Sequence, residues 1–340
     1  MNILITGSGG YIGSVLTKMA LEEGHKIRAV DRFFFGDNIP DHKNLEKIQR
    51  DCRDLEDDLF EDIDAVIDLV AISNDPAGEF FKTETIEINY ESRVRTANIA
   101  KLKGVKRYIL PSSCSIYGFN ESADPVNELS ETNPLTTYAV ANENAEKNIL
   151  PLASEDFCVT IIRQATVFGF SPRMRFDLAI NGMTYGAWKN KKLPLMRDGQ
   201  QWRPMVHVKD TCRAMIFLLK QKKEDVNGEI FNVGSKECTY QLGPLAKIVA
   251  NEIGNDVQIE WYGDVDHRSY NVSFEKIKRL GFEVKYDAVY GINEILEKLA
   301  NGTLNKTTKT MTLDWYKLLE EWFETLKDMP INGSILKVKK

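Results

Sequence analysis

"NILITGSGGYIGSVLTKMALEEG", residues 2–24, decides how the rest of the chain is read. A short apolar run over 2–6 stops at a glycine-rich turn, and a helical pattern begins at Tyr11. Strand, tight turn and helix in that order leave the helix N-terminus, with its unpaired N–H groups and positive dipole end, beside the turn. Gly7 permits the turn, Gly10 lets the backbone approach a pyrophosphate, and Gly13 allows close helix–strand packing. The spacing is GxxGxxG, because Ile12 stands where a GxGxxG pattern counted from Gly7 needs its last glycine. Such a pattern is weak alone; the strand before it, the helix after it and an acid further on make it a dinucleotide turn.

That acid is Asp31, at the end of "KIRAVDR". A carboxylate there accepts both ribose hydroxyls of an adenosine and repels a 2′-phosphate, which favours NAD over NADP. Arg28 and Arg32 beside it weaken the preference. In "RDCRDL", Asp51 can accept from an adenine amino group, with Cys52 next to it.

Outward from the turn, short β-rich runs alternate with helical patterns: "KIRAV" (26–30), "AVIDLV" (65–70), "RYILPSS" (107–113) and "VTIIRQA" (159–165). This rhythm predicts an α/β fold, a doubly wound parallel sheet with ligand sites at the carboxyl ends of its strands. It breaks near residue 170. The expected division is a Rossmann-like NAD-binding domain over 1–169, to which 204–235 returns. A smaller α/β C-terminal substrate lobe takes 170–203 and 236–340. No internal repeat or low-complexity segment interrupts this plan.

The bulk numbers narrow the function classes. A net charge of −6, with both signs interspersed, argues against nucleic acid and anionic membrane as partners. The basic tail "KVKK" (337–340) reads as a solvated end. The opening "MNILITG" has no signal-peptide character, and no apolar run approaches the roughly 20 residues of a membrane span. Five scattered cysteines, none in a CxxC pair, point to reduced thiols and no metal site. The expectation is a cytoplasmic protein.

The remaining motifs carry a resemblance. Besides "TGSGGYIG" (6–13) and Asp31, the chain has "DLVA" (68–71), Asn89, "SSCSIYG" (112–118), Tyr138 in "TTYAVANENAEK", "RPMVHVKD" (203–210) and "FNVGS" (231–235). Together they resemble the extended short-chain dehydrogenase/reductase family, the NAD-dependent nucleotide-sugar epimerases and dehydratases, over nearly the whole length. The resemblance implies NAD held by the turn with Tyr11 and Ile12, by Asp31, Arg32, Asp51 and Cys52, by Leu69, Val70 and Ala71, and by Tyr138 and residue 142. It further implies that Ser113 hydrogen-bonds the sugar hydroxyl being oxidised while Tyr138 takes its proton. Family members pair through the helices of Asn89 and Tyr138, which implies a homodimer.

Residue 142 departs from the pattern. The family has YxxxK, and here Asn142 stands one helical turn from Tyr138. The lysine would hydrogen-bond the nicotinamide ribose and lower the tyrosine pKa; an amide can do only the first. An unperturbed tyrosine is ionised to only about one part in a thousand at pH 7, and a close cation typically recovers one to three pKa units. The expectation is an enzyme whose rate rises at more alkaline pH, and restoring lysine at 142 should reverse this.

The resemblance also bears on the reaction. Dehydratases of the family carry an Asp–Glu pair after the catalytic threonine, where this chain has Cys114 and Ser115. Epimerases acting at C3 and C5 use a cysteine where Ser115 stands. What remains is hydride transfer at C4, as a 4-epimerase or a 4-dehydrogenase. A catalytically silent NAD or nucleotide-sugar binder, a dehydratase with atypical acid and base residues, and an NADP-linked reductase of a small carbonyl are the alternatives. The reductase has no use for Arg203 and Arg268. The segment "RQATVFGFSPRMRFDLAINGMTY" (163–185) is similar to that of nucleotide-sugar enzymes of capsule and lipopolysaccharide pathways, GDP-heptose 4-dehydrogenases among them. Arg175 and Asn181 are its candidate substrate contacts, alongside Ser73, Asn74 and Ser113. Arg203 and Arg268 match positions that clamp a diphosphate, and guanidinium groups suit paired phosphate oxygens. The nucleotide can be UDP-, GDP- or dTDP-linked. His207 lies in a motif that reads as structural.

Overall fold

The computed structural model describes residues 1–119, 124–254, 256–264 and 269–327; Arg268 and the "KVKK" tail lie outside them. Strands β1 (Asn2–Thr6), β2 (Lys26–Asp31), β3 (Leu45–Gln49), β4 (Ala65–Asp68), β5 (Arg107–Ser113), β6 (Cys158–Gln164) and, later in the chain, β10 (Glu229–Val233) form one parallel sheet. Its order is β10-β6-β5-β4-β1-β2-β3, so the order reverses between β1 and β4 and opens a crevice at their carboxyl ends. β1 and β4 are buried on both faces, hence their unbroken apolar runs. The edge strand β3, "LEKIQ", is half exposed and largely polar.

The sheet is covered on both sides by helices. Helix α1 (Tyr11–Glu22) leaves the glycine turn, and α2 (Asp75–Phe80) follows β4. Then α3 (Lys82–Ile86) runs through a π-helical turn, Glu87–Glu91, into α4 (Ser92–Leu102), with α5 (Thr137–Ile149) beside it. On the other face α7 (Val208–Lys220) packs on α1.

A second core gathers around α6 (Ala179–Asn190), α9 (Leu242–Ile253) and α11 (Ala288–Ala300). Two small sheets join it: β7 (Thr166–Phe168) with β9 (Trp202–His207) and β11 (Thr239–Gln241), and β8 (Lys192–Met196) with β12 (Gln258–Tyr262). β9 was expected to rejoin the main sheet with 204–235. It pairs with β7 and β11 instead, because β10 already occupies the sheet edge beside β6. The return begins at α7. The short helices α8 (Lys223–Val226) and α10 (Glu275–Arg279) and helix α12 (Thr312–Leu326) complete the described residues. Among the described residues no helix is long and apolar enough to cross a membrane, and all five cysteines are unpaired and buried.

Candidate active site

A cleft of about 1080 Å³ opens at the crevice between β1 and β4. The glycine turn forms its floor. Gly7 has φ +65°, and a Cβ on it would meet the Leu69–Val70 backbone at 2.9 Å. On Gly13 a Cβ would come 2.1 Å from the Gly7 carbonyl oxygen, so α1 seats directly on the turn only because residue 13 has no side chain. Tyr11, Ile12, Asp31, Arg32, Asp51, Cys52 and Leu69, Val70 and Ala71 line the same cleft.

Asp31 accepts from the Gly9 and Phe33 amides, 3.0 and 2.6 Å away. Burial pushes its carboxyl above the usual range, and those amides and Arg173 oppose the shift. Asp51 is held well below the carboxylate range by hydrogen bonds from Arg53 and Arg32. Burial pushes the Cys52 thiol up to about 12, which makes it an inert wall. Arg28 turns away to Glu46, at 2.7 Å, and does not line the cleft.

A second strand–helix pair, β5 and α5, brings Ser113 and Tyr138 to the cleft. Thr136 caps α5 by accepting from the Ala139 amide and donates to Asp75 at 2.8 Å. That fixes Tyr138 in the first turn, against Gly78 of α2, where a Cβ would lie 3.1 Å from the Tyr138 Cβ. Ser113 ends β5 and joins Tyr138 in lining the cleft. Burial pushes the phenol above its ordinary value and Asp75 adds to this; Arg93, Ser113 and Arg175 pull it back.

Asn142, named from the sequence as a cofactor contact, spends its side chain on bonds within the protein. It is 1 % exposed and does not line the cleft. Its Nδ2 donates to the Tyr138 carbonyl at 2.9 Å and its Oδ1 accepts from Arg93 Nη1 at 3.1 Å. Arg93, read in the sequence only as part of a pairing helix, is itself 1 % exposed. It donates also to the carbonyls of Asp68 and Pro111. A lysine placed at 142 with Arg93 present would set two buried cations side by side, so the single restoration suggested by the sequence cannot act simply.

The candidate sugar contacts fare differently. Ser73 accepts from Arg175 at 3.0 Å, and Asn74 donates to Asp177 at 2.7 Å. Arg175 and Asp177 are an ion pair at 2.7 Å. These four line the cleft as one network that joins the loop after β4 to the segment ahead of α6. Asn181 is fully buried, bonded to Gly169, the Tyr11 hydroxyl and the Arg175 carbonyl, and lies behind that wall as a packing amide. Arg203 lines the cleft with its guanidinium 5.5 Å from the Tyr270 ring centroid. Asn89 pins the loop after β4 by exchanging two bonds with Ile72, and buried His207 caps α7 through Lys209 N. Both are structural. Cys114 is buried and donates to the Arg163 carbonyl, away from the cleft, whereas Ser115 lines it with a buried hydroxyl that has no partner among the described residues.

Two contributors escaped the sequence reading. Arg173, 4 % exposed, stacks 3.6 Å from the Phe35 ring and bonds Thr312, while its Nε and Nη1 have no partner among the described residues. It lines the cleft as a buried cation with unused donors, which suits an anionic group bound over the glycine turn. The other is α12, which brings Tyr316, Leu319 and Trp322 to the cleft wall and anchors Trp315 Nε1 on the Phe34 carbonyl at 2.8 Å. Neither has a local motif; each follows from packing between distant segments.

The chain belongs to the NAD dependent epimerase/dehydratase family, whose model matches residues 3–234. It is 28 % identical to the UDP-N-acetyl-alpha-D-glucosaminuronate decarboxylase of Bacillus cytotoxicus, over 93 % of this chain and 98 % of that one. Among solved structures it resembles UDP-glucose 4-epimerase from Thermotoga maritima with UDP-glucose, with a TM-score of 0.80 at 23 % identity over 89 % of this chain and 100 % of the other. UDP-glucuronic acid 4-epimerase from Bacillus cereus, in complex with UDP-glucuronic acid and NAD, superposes with a TM-score of 0.78 at 21 % identity, over 88 % and 99 %. At such identities the structural likenesses establish the fold.

Proposed function

We propose that this protein is an NAD-dependent enzyme acting at C4 of a nucleotide-diphosphate sugar, as a 4-epimerase or a 4-dehydrogenase. The observation that carries the reading is that Tyr138 and Ser113 both line the cleft floored by the glycine turn. NAD, when bound, supplies the hydride acceptor. The glycine turn, Asp31 and the unused donors of Arg173 are the groups that would hold it. Ser113 orients the sugar hydroxyl and Tyr138 accepts its proton as general base. Arg203 faces the diphosphate, with Arg268 its expected partner. Names of relatives put UDP-sugars first among UDP-, GDP- and dTDP-linked candidates. A cytoplasmic homodimer paired through α4 and α5 completes the reading.

Cys114 and Ser115 leave no carboxylate for the family's dehydration chemistry. The rival reading, a silent binder, is favoured by the absence of lysine at 142. Incubation with a panel of UDP-, GDP- and dTDP-sugars separates the two. The enzyme gives reduced-nicotinamide absorbance or a new sugar nucleotide by mass spectrometry. Thermal stabilisation by a sugar nucleotide that returns unchanged would establish the binder instead.

A further inference from the structure

The family pattern places a cation four residues after the catalytic tyrosine, and this chain has an amide there. The structure holds a different cation in the same neighbourhood. Arg93 enters from α4, not α5, and its buried guanidinium bonds Asn142, four residues along α5 from Tyr138. It is held by the carbonyls of Asp68 on β4 and Pro111 on β5 and by Asn142 Oδ1 at 3.1 Å. Asn142 in turn donates to the Tyr138 carbonyl, so amide and guanidinium form one chain of bonds leading to the tyrosine's own backbone. A lysine at 142 would point an ammonium at that guanidinium; an asparagine offers it an acceptor.

We propose that Arg93 supplies the positive charge absent from position 142, and that Asn142 is the companion residue that accommodates and orients it. Arg93 is thus a positioning residue: it touches no reacting atom and acts by stabilising the phenolate of Tyr138. The inference rests on the C4-oxidation reading for its purpose, but its physical content concerns one phenol and one guanidinium.

Other charges reach the same phenol. Asp75 at the start of α2 opposes ionisation, and Arg175, paired with Asp177 ahead of α6, favours it. Ser113 at the end of β5 also favours ionisation. Glu79 of α2 is bound to the Thr137 amide at the helix entrance. Asp68 is fully buried near Arg93, but its carboxylate accepts from Thr6 and Tyr108 and only its carbonyl meets the guanidinium. Arg175 is already neutralised by a carboxylate. Arg93 bonds only to carbonyl and amide acceptors, and its Nε has no partner among the described residues, so its charge is the less quenched of the two.

The test is an ultraviolet difference titration of the NAD-loaded protein against its Tyr138→Phe variant, which reports the Tyr138 phenol without requiring turnover. Arg93→Gln removes the charge and keeps a donor; its phenol should titrate about one to two pH units higher, a tenfold to hundredfold loss of phenolate at neutral pH. Arg93→Lys should stay within about half a unit of wild type, although both variants lose part of the bonding to Asp68 and Pro111. Arg93→Thr/Asn142→Lys, which moves the charge back to α5, should do the same. A folded Arg93→Gln protein that titrates like wild type overturns the proposal. Should that variant not fold, the comparison passes to Arg93→Thr/Asn142→Lys and Arg93→Thr/Asn142→Met. Wild type matching the lysine form supports the proposal, and wild type matching the methionine form overturns it. Loss of turnover on every sugar nucleotide, with the titration as expected, would remove the C4 reading and leave the Arg93 assignment standing.

Discussion

The two ends of the cleft are built from different materials. At the cofactor end the decisive atoms belong to the backbone: a turn at φ +65°, a helix seated where a Cβ would lie 2.1 Å from a carbonyl oxygen, and amides around Asp31. At the reacting end they are side chains from five segments, with Tyr138 and Asn142 from α5, Ser113 from β5, Arg93 from α4, Ser73 after β4 and Arg175 ahead of α6. A backbone site ties each role to one position in the chain. A side-chain site asks only that a charge or donor arrive at a point in space, and any neighbouring element can deliver it.

Four substitutions test this contrast, in descending order of effect. Tyr138→Phe removes the proposed proton acceptor and should lower kcat by about 10²–10⁴-fold. Because the cofactor end is built separately, NAD should still co-purify; measured loss of NAD would show the two ends to be one unit. Asn142→Lys alone sets an unpaired buried cation beside Arg93 and should cost about 3–5 kcal/mol of stability by denaturant melt. An unchanged midpoint would mean the reacting end can host both charges. Asp31→Asn should weaken NAD binding by about 1.5–3 kcal/mol, the range for hydrogen bonds to a charged group, measured by calorimetry.

Asp31 also fixes the sign of a pH effect. Its folded-state pKa is raised by burial, so its own contribution to stability is greatest below the unfolded value near 3.9 and is lost as pH rises through the folded value. Without NAD, Asp31→Asn should therefore be at least as stable as wild type at neutral pH. Arg32→Ala breaks an ion pair with Asp51 whose arginine is 45 % exposed, and its melt should move by less than about 1 kcal/mol. A larger loss would mean that side-chain pairs also sustain the cofactor end.

The same contrast explains what was legible in the sequence. That the glycine turn, Asp31, Ser113 and Tyr138 would line one cleft could be read because each sits at a fixed offset from a strand or helix end. β3 was missed because an edge strand with a solvated face need not be apolar. β9 was assigned to the wrong sheet because its apolar run does not say which edge is vacant. Asn181 and Arg175 lie six residues apart and read alike as substrate contacts, yet one packs behind the wall and the other lines it. Arg93, Arg173 and α12 had no signature at all: the partners of Arg93 stand 18 to 49 residues away, and Arg173 bonds across 139. Arg268 lies outside the described residues and its expected diphosphate role is untouched by the structure.

The bond from Trp315 to the Phe34 carbonyl spans 281 residues and joins α12 to the loop after the second strand. Synthesis runs from the N-terminus at roughly 5–20 residues per second, so the aromatic loop at 33–35 emerges well before its covering wall exists. The glycine turn and its sheet neighbours can form on the ribosome, but the enclosure around them is finished only when α12 emerges. The wall that α12 supplies is therefore a late addition, and a chain cut before residue 312 should retain NAD poorly.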